Sequence, residues 1–247
     1  MMQKIKFVFF GSDHIARSAL EAMSRHGLVP SDSGNVAILV SYGKILTKET
    51  IDSFPFGILN IHPSLLPALR GPSPIKSAIL DNLEKTGVSI MKLDEQVDHG
   101  PILIQEEISL SPRFATEEEL RKALFDKGAE LLARVLPDYL SDKLIPKPQD
   151  HGKATYTHKF NQNDAYLDFA TWGSEPQVIE ILDRKVRALN EEPGTYSIIP
   201  TIRGQKRVKI LKAHIENNIF IPDIVVPEGK KRMTWQSFLR GNPVVNS

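Results

Sequence analysis

The chain contains no cysteine, which excludes disulfide bonds and cysteine-ligated zinc centres. It also has no run of about 18 apolar residues, the length that a membrane-spanning helix needs. The apolar stretch near the amino terminus ends at Gly11, so it is too short for a secretory signal and indicates a buried strand. These absences favour an ordinary globular protein, and we predict a cytoplasmic location.

The net charge is also small: 31 Lys and Arg nearly balance 30 Asp and Glu, which gives a net charge of +1. The imbalance that exists lies at the carboxyl end. Residues 196–247 hold nine Lys and Arg against three Asp and Glu, a net charge of +6. Such an excess fits contact with a polyanion, although a solvated basic face is the commoner reason for an excess this small.

The glycine-rich fingerprint of dinucleotide-binding proteins is also absent, so we predict no dinucleotide cofactor. Gly11 follows a predicted strand, 5–10, but stands alone rather than in G-x-G-x-x-G. Apolar residues at helical spacing follow and stop at Gly27, and a nearly all-apolar strand covers 36–41. Strand, helix and strand predict a right-handed βαβ unit of an α/β fold with a mostly parallel sheet.

One stretch has the residue types needed for chemistry on a carbonyl group. Asn60 and His62 are two positions apart on a predicted strand, so their side chains should point to the same face. Pro63 cannot donate a ladder hydrogen bond, which should end the strand near His62. An amide can donate to a developing oxyanion, and an imidazole can donate or carry a proton. From the pair alone, a turn in which both side chains bond to backbone is an equal alternative.

A second polar segment, 94–100, lies between predicted strands at 88–93 and 102–108 and contains Asp94 and Asp98. Its aspartates lack the spacing of a calcium loop, and His99 follows Asp98 directly instead of sharing a face with it. We therefore predict no metal site here.

Together with Arg70-Gly71-Pro72-Ser73-Pro74-Ile75 and Thr86-Gly87-Val88-Ser89-Ile90-Met91, these segments resemble the formyltransferase family that uses 10-formyltetrahydrofolate. The resemblance is good over 5–26 and 36–110 and weaker over 150–215. It implies a catalytic triad of Asn60, His62 and Asp98, with 10-formyltetrahydrofolate as the formyl donor and no metal. The implied folate contacts are Lys44, Ile45, Leu46, Ile58, Leu66, Leu93, Gln96 and Val97.

The chain departs from the family after its first helix. Members have two more strand–helix pairs before the strand at 36–41, where this chain has only 27–35. We therefore predict a Rossmann-like sheet with a reduced strand number, in which the strand at 5–10 lies near or at an edge. A subunit contact or a displaced segment should cover it. The departure also removes a basic loop that faces the tRNA in members that act on tRNA.

A polar segment with two prolines, 141–153, predicts a linker between a catalytic domain, 1–140, and a carboxyl-terminal part, 154–247. A helix opens the carboxyl-terminal part, and the alternating residues that follow resemble a small, shortened OB-like β-barrel. Its basic residues are the predicted nucleic-acid contacts: Arg203, Lys206, Arg207, Lys230, Lys231 and Arg232.

The resemblance implies transfer of a formyl group from 10-formyltetrahydrofolate to the amino group of methionyl-initiator tRNA in translation initiation. A sugar-nucleotide N-formyltransferase is an alternative, because it would keep the triad and would not need the missing loop. A formyltetrahydrofolate hydrolase would use water as the acceptor. A non-catalytic folate- or RNA-binding module is the non-enzyme alternative, and the intact triad argues against it.

Overall fold

In a computed structural model of the chain, the described residues are 5–44, 46–110 and 116–245. They form two compact units, the described parts of Met1–Ala78 with Leu83–His158 and of Ile79–Asn82 with Lys159–Ser247. Among these described residues, no helix is long and apolar enough to cross a membrane.

The two units divide after His158, whereas the sequence places a linker at 141–153. This segment lies within the first unit. Ile102 and Lys147 exchange two backbone hydrogen bonds of 2.8 Å each, and Gln149 is buried. An extended, proline-bearing chain has the composition of a linker, but its free backbone groups can also pair with a sheet edge.

The first unit is built on a six-stranded sheet. Its strands are β1 (Ile5–Phe10), β2 (Leu28–Pro30), β3 (Ala37–Leu39), β4 (Ile58–His62), β5 (Lys85–Lys92) and β6 (Ile102–Ser109). The strand order is β2-β1-β3-β4-β5-β6. The first four strands of this order are parallel to one another, and β5 and β6 are antiparallel to their neighbours. This sheet confirms the predicted α/β fold with a mostly parallel sheet.

Strand β1 lies next to the sheet edge rather than at it, because a displaced segment covers it. Leu28–Pro30 pairs with β1, with Leu28 opposite Ile5 and Pro30 opposite Phe7. The Ser31 backbone N–H extends this pairing by donating to the Phe7 carbonyl at 2.8 Å. The sequence predicts only a connection at 27–35, because three residues are too few to display a strand pattern.

Four helices belong at least in part to the first unit: α1 (His14–Arg25), α2 (Lys48–Asp52), α3 (Pro74–Leu80) and α4 (Glu117–Leu140), and a single 3₁₀ turn follows at His151–Lys153. A capping box starts α4, with Thr116 and Glu119 bonding to each other's backbone N–H. A Cβ at Gly128 would clash with Ile61 of β4, so this glycine lets α4 approach the sheet closely. Helix α4 therefore covers the face of β4 that carries Ile61.

The second unit is a four-stranded antiparallel sheet with the order β10-β9-β8-β7. Its elements are a 3₁₀ turn (Phe169–Thr171), α5 (Pro176–Leu189), β7 (Tyr196–Thr201), β8 (Gly204–Glu216), β9 (Ile219–Pro227), β10 (Met233–Thr234) and α6 (Trp235–Gly241). Its core is a buried cluster that includes Trp172, Phe220 and Phe238. The predicted small β domain is thus present as this four-stranded sheet.

Candidate active site

Strand β4 presents Asn60 and His62 on one face, as the spacing predicts. Ile61 between them points to α4, where it meets Gly128. Both polar side chains are buried, with residue exposures of 7% for Asn60 and 4% for His62. Two adjacent polar residues this deeply buried need partners, because an unpaired buried donor or acceptor is costly.

Asp98 supplies the partner that Asn60 and His62 share. Its Oδ1 atom lies 3.5 Å from Asn60 Nδ2 and 3.5 Å from His62 Nδ1. Asp98 lies in the loop between β5 and β6, where its backbone has a φ of +48°. This positive φ is uncommon for a residue other than glycine. The structure therefore brings together the three residues that the resemblance implies as a triad.

The second ring nitrogen of His62 lies 3.2 Å from the Leu69 carbonyl oxygen. A carbonyl only accepts, so His62 Nε2 carries the hydrogen in this contact. Nδ1 then faces the Asp98 carboxylate and is the ring nitrogen that the Leu69 contact leaves available. The 3.5 Å separation is long for a hydrogen bond, as is common in catalytic sites without a bound substrate.

The other carboxylate oxygen of Asp98 is fixed by backbone. Oδ2 accepts a hydrogen bond of 2.7 Å from the Gly71 N–H. Gly71 has a φ of +106°, and a Cβ there would lie 2.9 Å from the Thr157 carbonyl oxygen. The glycine in Arg70-Gly71-Pro72 is therefore required both by its conformation and by the close approach of another segment.

Sequence reasoning missed the segment that makes this approach, Lys147–Thr157, which we call the strap. Within it, Gln149 Nε2 donates to the carbonyl oxygens of Asp98 (2.9 Å) and Gly100 (2.7 Å). Its Oε1 accepts from the buried guanidinium of Arg70 at 2.6 and 3.2 Å. No local pattern marks Gln149, because its partners lie far away in sequence. The one available signal was Arg70, which lies beside the glycine of a recognised motif.

A comparison with known proteins decides the family. The model of the formyl transferase family matches residues 5–136, more than half of the chain. The chain belongs to the formyltransferase family. It is 41% identical over 180 residues to the methionyl-tRNA formyltransferase of Chloroflexus aurantiacus, which covers 73% of this chain and 54% of that protein. The chain thus spans about half the length of this relative.

Solved structures share the fold of this formyltransferase-family chain. Methionyl-tRNA formyltransferase from Clostridium thermocellum has a TM-score of 0.66 at 18% identity, covering 90% of this chain and 98% of that one. HypX from Aquifex aeolicus in complex with tetrahydrofolic acid has a TM-score of 0.71 at 16% identity, covering 96% of this chain and 46% of that one. At these identities the likeness establishes the fold alone.

The predicted folate contacts of this family member differ in solvent exposure. Ile58 and Leu66 are buried, whereas Leu46 and Leu93 are half-buried. The exposed members of the set are Lys44, Gln96 and Val97, and Ile45 lies outside the described residues. A cavity of about 370 Å³ adjoins Leu93 and is lined also by residues of α2 and the following turn, among them Ile51 and Phe54. Those last two residues were not predicted.

The predicted nucleic-acid contacts lie in the second unit and do not share a single face. Lys206 and Arg207 are neighbours on β8, so their side chains leave opposite faces of the sheet. The Arg207 guanidinium lies 3.6 Å from the centre of the Tyr196 ring. Arg203 is exposed in the turn between β7 and β8, and the exposed basic cluster that follows β9 consists of Lys230, Lys231 and Arg232.

Across the described ranges of the chain, no group of three or more His, Cys, Asp or Glu is placed to hold a metal ion. The loop histidine His99 instead forms a 2.6 Å contact from Nδ1 to Asp94 Oδ2 and stacks on His151 of the strap at 3.9 Å. The acidic loop is therefore bound to the rest of the first unit by side-chain contacts.

Proposed function

We propose that this protein transfers a formyl group from 10-formyltetrahydrofolate to an amine. The observation that carries the proposal is the convergence of Asn60, His62 and Asp98 at the end of β4, in a chain that belongs to the formyltransferase family. A module that only binds folate or RNA has no need to bury an amide and an imidazole against one carboxylate.

The chemistry follows from the positions of the three side chains. The acceptor amine attacks the formyl carbon, and the carbonyl oxygen becomes an oxyanion. The Asn60 amide hydrogen-bonds that oxygen. His62, on the same face of β4, does so from Nδ1–H as an imidazolium, since its Nε2–H is already donated to the Leu69 carbonyl. Asp98 takes the proton that the attacking nitrogen loses and passes it on to N10 of the folate. The bond between N10 and the formyl carbon then breaks, which releases tetrahydrofolate and the formylated amine.

We propose that the folate binds at the cavity that Leu93 lines, with Leu93 as the member of the proposed contact set in its wall. A volume of about 370 Å³ lies within the range usual for small-molecule pockets. The proposed contacts remain those that the resemblance implies. The complex of HypX with tetrahydrofolic acid supports a folate ligand for this fold.

The proposed acceptor is the methionyl group on initiator tRNA, and the proposed location is the cytoplasm. The name of the Chloroflexus aurantiacus relative supports this acceptor, as does the exposed basic cluster after β9. A sugar nucleotide with an amino group is the second candidate. The short connection between α1 and β3 favours it, because no long loop is present there to reach a tRNA.

Release of tetrahydrofolate from 10-formyltetrahydrofolate tests the proposed reaction. The purified protein is assayed with methionyl-initiator tRNA, with an amino-sugar nucleotide, and without an acceptor. We expect acceptor-dependent release with the tRNA. Equal release in all three reactions would indicate a hydrolase, and no release in any of them would contradict formyl transfer.

A further inference from the structure

We infer that Gln149 and Arg70 are positioning residues that fix Asp98 for the transfer reaction. The inference rests on the function proposed above, because the position of Asp98 affects a rate only if this site transfers formyl groups. It concerns residues that do not contact the site of the reacting atoms and act through Asp98.

Asp98 needs to be held in place, because its conformation is uncommon. Its φ of +48° belongs to the left-handed region, which Asp adopts more readily than most residues other than glycine but still in a small minority of cases. The residues before it, Gln96 and Val97, are exposed, Val97 by 64%, so the loop packs weakly on that side. The restraint on Asp98 must therefore come from its other side.

Gln149 supplies this restraint on the backbone. Its amide nitrogen has two hydrogens, and both are used, one on the Asp98 carbonyl at 2.9 Å and one on the Gly100 carbonyl at 2.7 Å. The two bonds therefore hold the backbone on both sides of His99. The orientation of the amide is determined, because Arg70 only donates and so the atom that faces it must be the amide oxygen.

Arg70 in turn holds Gln149 by hydrogen bonds, and the neighbouring Gly71 connects this pair to the Asp98 carboxylate. The guanidinium is 1% exposed and donates to Gln149 Oε1 through both Nε and Nη2, to His151 Nδ1 at 2.9 Å and to the Tyr156 hydroxyl at 3.3 Å. The next residue, Gly71, donates its backbone N–H to Asp98 Oδ2.

Backbone bonds fix Arg70 against the strap as well. The Arg70 N–H donates to the Thr155 carbonyl at 2.8 Å, and the Thr157 N–H donates to the Arg70 carbonyl at 2.7 Å. Two adjacent residues, Arg70 and Gly71, thus restrain Asp98 from opposite ends, one through Gln149 and one directly. The result is a closed circuit of hydrogen bonds around the proposed proton-transfer group.

Gln149→Glu is the variant that tests this circuit. A carboxylate of the same size still accepts from Arg70, but it cannot donate to the Asp98 and Gly100 carbonyls. Misplacing a reacting group by about 1 Å can cost about 100-fold in rate, so we expect kcat to fall by about 10- to 100-fold. The KM for the folate should change by less than kcat does, since Gln149 is not itself a proposed folate contact and does not line the cavity beside Leu93. Gln177→Glu, an identical change at an exposed position of α5, is the control.

A double-mutant cycle separates positioning from a general structural effect. In an Asp98→Asn background, Gln149→Glu should lower kcat by less than about twofold, because the group through which it acts is gone. An equal loss in both backgrounds would overturn the inference.

Hydrogen exchange of residues 94–100 provides a readout that does not depend on activity. We expect faster exchange there in Gln149→Glu than in the wild type or in Gln177→Glu, at equal overall stability. Unchanged exchange would overturn the role of Gln149, whereas absence of turnover in the wild type would overturn the proposed function and leave this test intact. If Gln149→Glu fails to fold, Gln149→Met, which adds no charge, takes its place in both measurements.

Discussion

Replacement of His62 is the most direct test of the proposed chemistry at a single residue. It is buried between the Leu69 carbonyl and the Asp98 carboxylate, so truncation leaves both of these groups without their imidazole partner. Loss of one oxyanion donor typically lowers kcat by about 100- to 1,000-fold. We expect His62→Ala to show such a loss in a formylation assay, with folate binding nearly unchanged.

The matched control is His26→Ala, because His26 is an exposed histidine after the last turn of α1. It should retain wild-type turnover. Turnover by His62→Ala within about threefold of the wild type would contradict the assigned role, given the size of the expected loss.

Asp98→Asn tests the proton-transfer step separately. The amide keeps the size of the side chain and can still accept from the Gly71 N–H, but it cannot take a proton from the attacking amine. General acid–base catalysis typically contributes about 100- to 10,000-fold, so we expect kcat to fall within that range. Wild-type kcat at neutral pH in this variant would show that the proton leaves by another route.

At the residue scale, the sequence predicted the members of the site whose signal is local or part of a motif. Asn60 and His62 are two apart on one strand, and Asp98 belongs to a recognisable loop. Gln149 was not predictable, because its contacts to Asp98 and Arg70 span about 50 and 80 residues of sequence and its neighbours have the composition of a linker.

At the scale of elements, the shortness of β2 leads to a prediction about hydrogen exchange at the backbone amides of β1. The Val8 N–H donates to the Val36 carbonyl on the β3 side, so the Phe9 N–H points to the β2 side. The pairing with β2 ends at Phe7 and Pro30. We expect the Phe9 amide to exchange with solvent faster than the amides of Val8 and Phe10. Equal protection of all three amides would show that another segment or a second subunit covers this edge.

Tyr139, near the end of helix α4, leads to a prediction about the stability of the protein at alkaline pH. Tyr139 donates its hydroxyl to the Phe56 carbonyl at 2.5 Å, and burial, together with the nearby Asp142 carboxylate, raises the pKa of Tyr139. Because the unfolded chain then loses this proton first, near pH 10, the contribution to stability is present below about pH 10. It is lost as the pH rises through the folded-state pKa.

Tyr139→Phe removes both the bond and its titration. We expect the free energy of unfolding to fall by about 0.5–1.5 kcal/mol at pH 7, the usual net value of one hydrogen bond. The difference from the wild type should shrink above about pH 10. Urea unfolding at several pH values measures it, and a difference that stays constant to the highest pH would contradict the raised pKa.

Elements with a strong periodic or capping signal were predictable, and short ones were not. For α4, the sequence has a capping box at Thr116 and Glu119 followed by apolar residues at helical spacing. The structure buries that stripe at Leu120, Leu124, Leu131, Val135 and Leu136. β2 has three residues, and its existence depends on the exposed edge of β1 rather than on its own pattern.

At the scale of the whole molecule, the basic excess of the carboxyl-terminal part predicts salt-dependent binding of tRNA. The cluster Lys230, Lys231 and Arg232 is exposed, so its charges are available to phosphates. Replacing all three by glutamine should reduce the slope of log K against log salt by roughly one per lost phosphate contact. An unchanged slope would show that the tRNA binds elsewhere.

The general charge distribution and the second, β-rich unit followed from composition and alternation along the chain. The face on which each basic side chain lies did not, because it depends on strand register. Lys206 and Arg207 are adjacent on β8 and leave opposite faces, and Arg207 is engaged with Tyr196.

Transfer of an isotopically labelled formyl group tests the central claim most directly. The wild-type protein is incubated with 10-formyltetrahydrofolate labelled on the formyl carbon, together with methionyl-initiator tRNA and an amino-sugar nucleotide at matched concentrations, and each product is analysed by mass spectrometry. We predict that the label appears on the methionyl amino group and that His62→Ala and Asp98→Asn lower its rate of appearance at least 100-fold, as expected for loss of an oxyanion donor or of a proton acceptor. Label on the sugar nucleotide alone, or on neither acceptor, would contradict the proposal that this site formylates methionyl-tRNA.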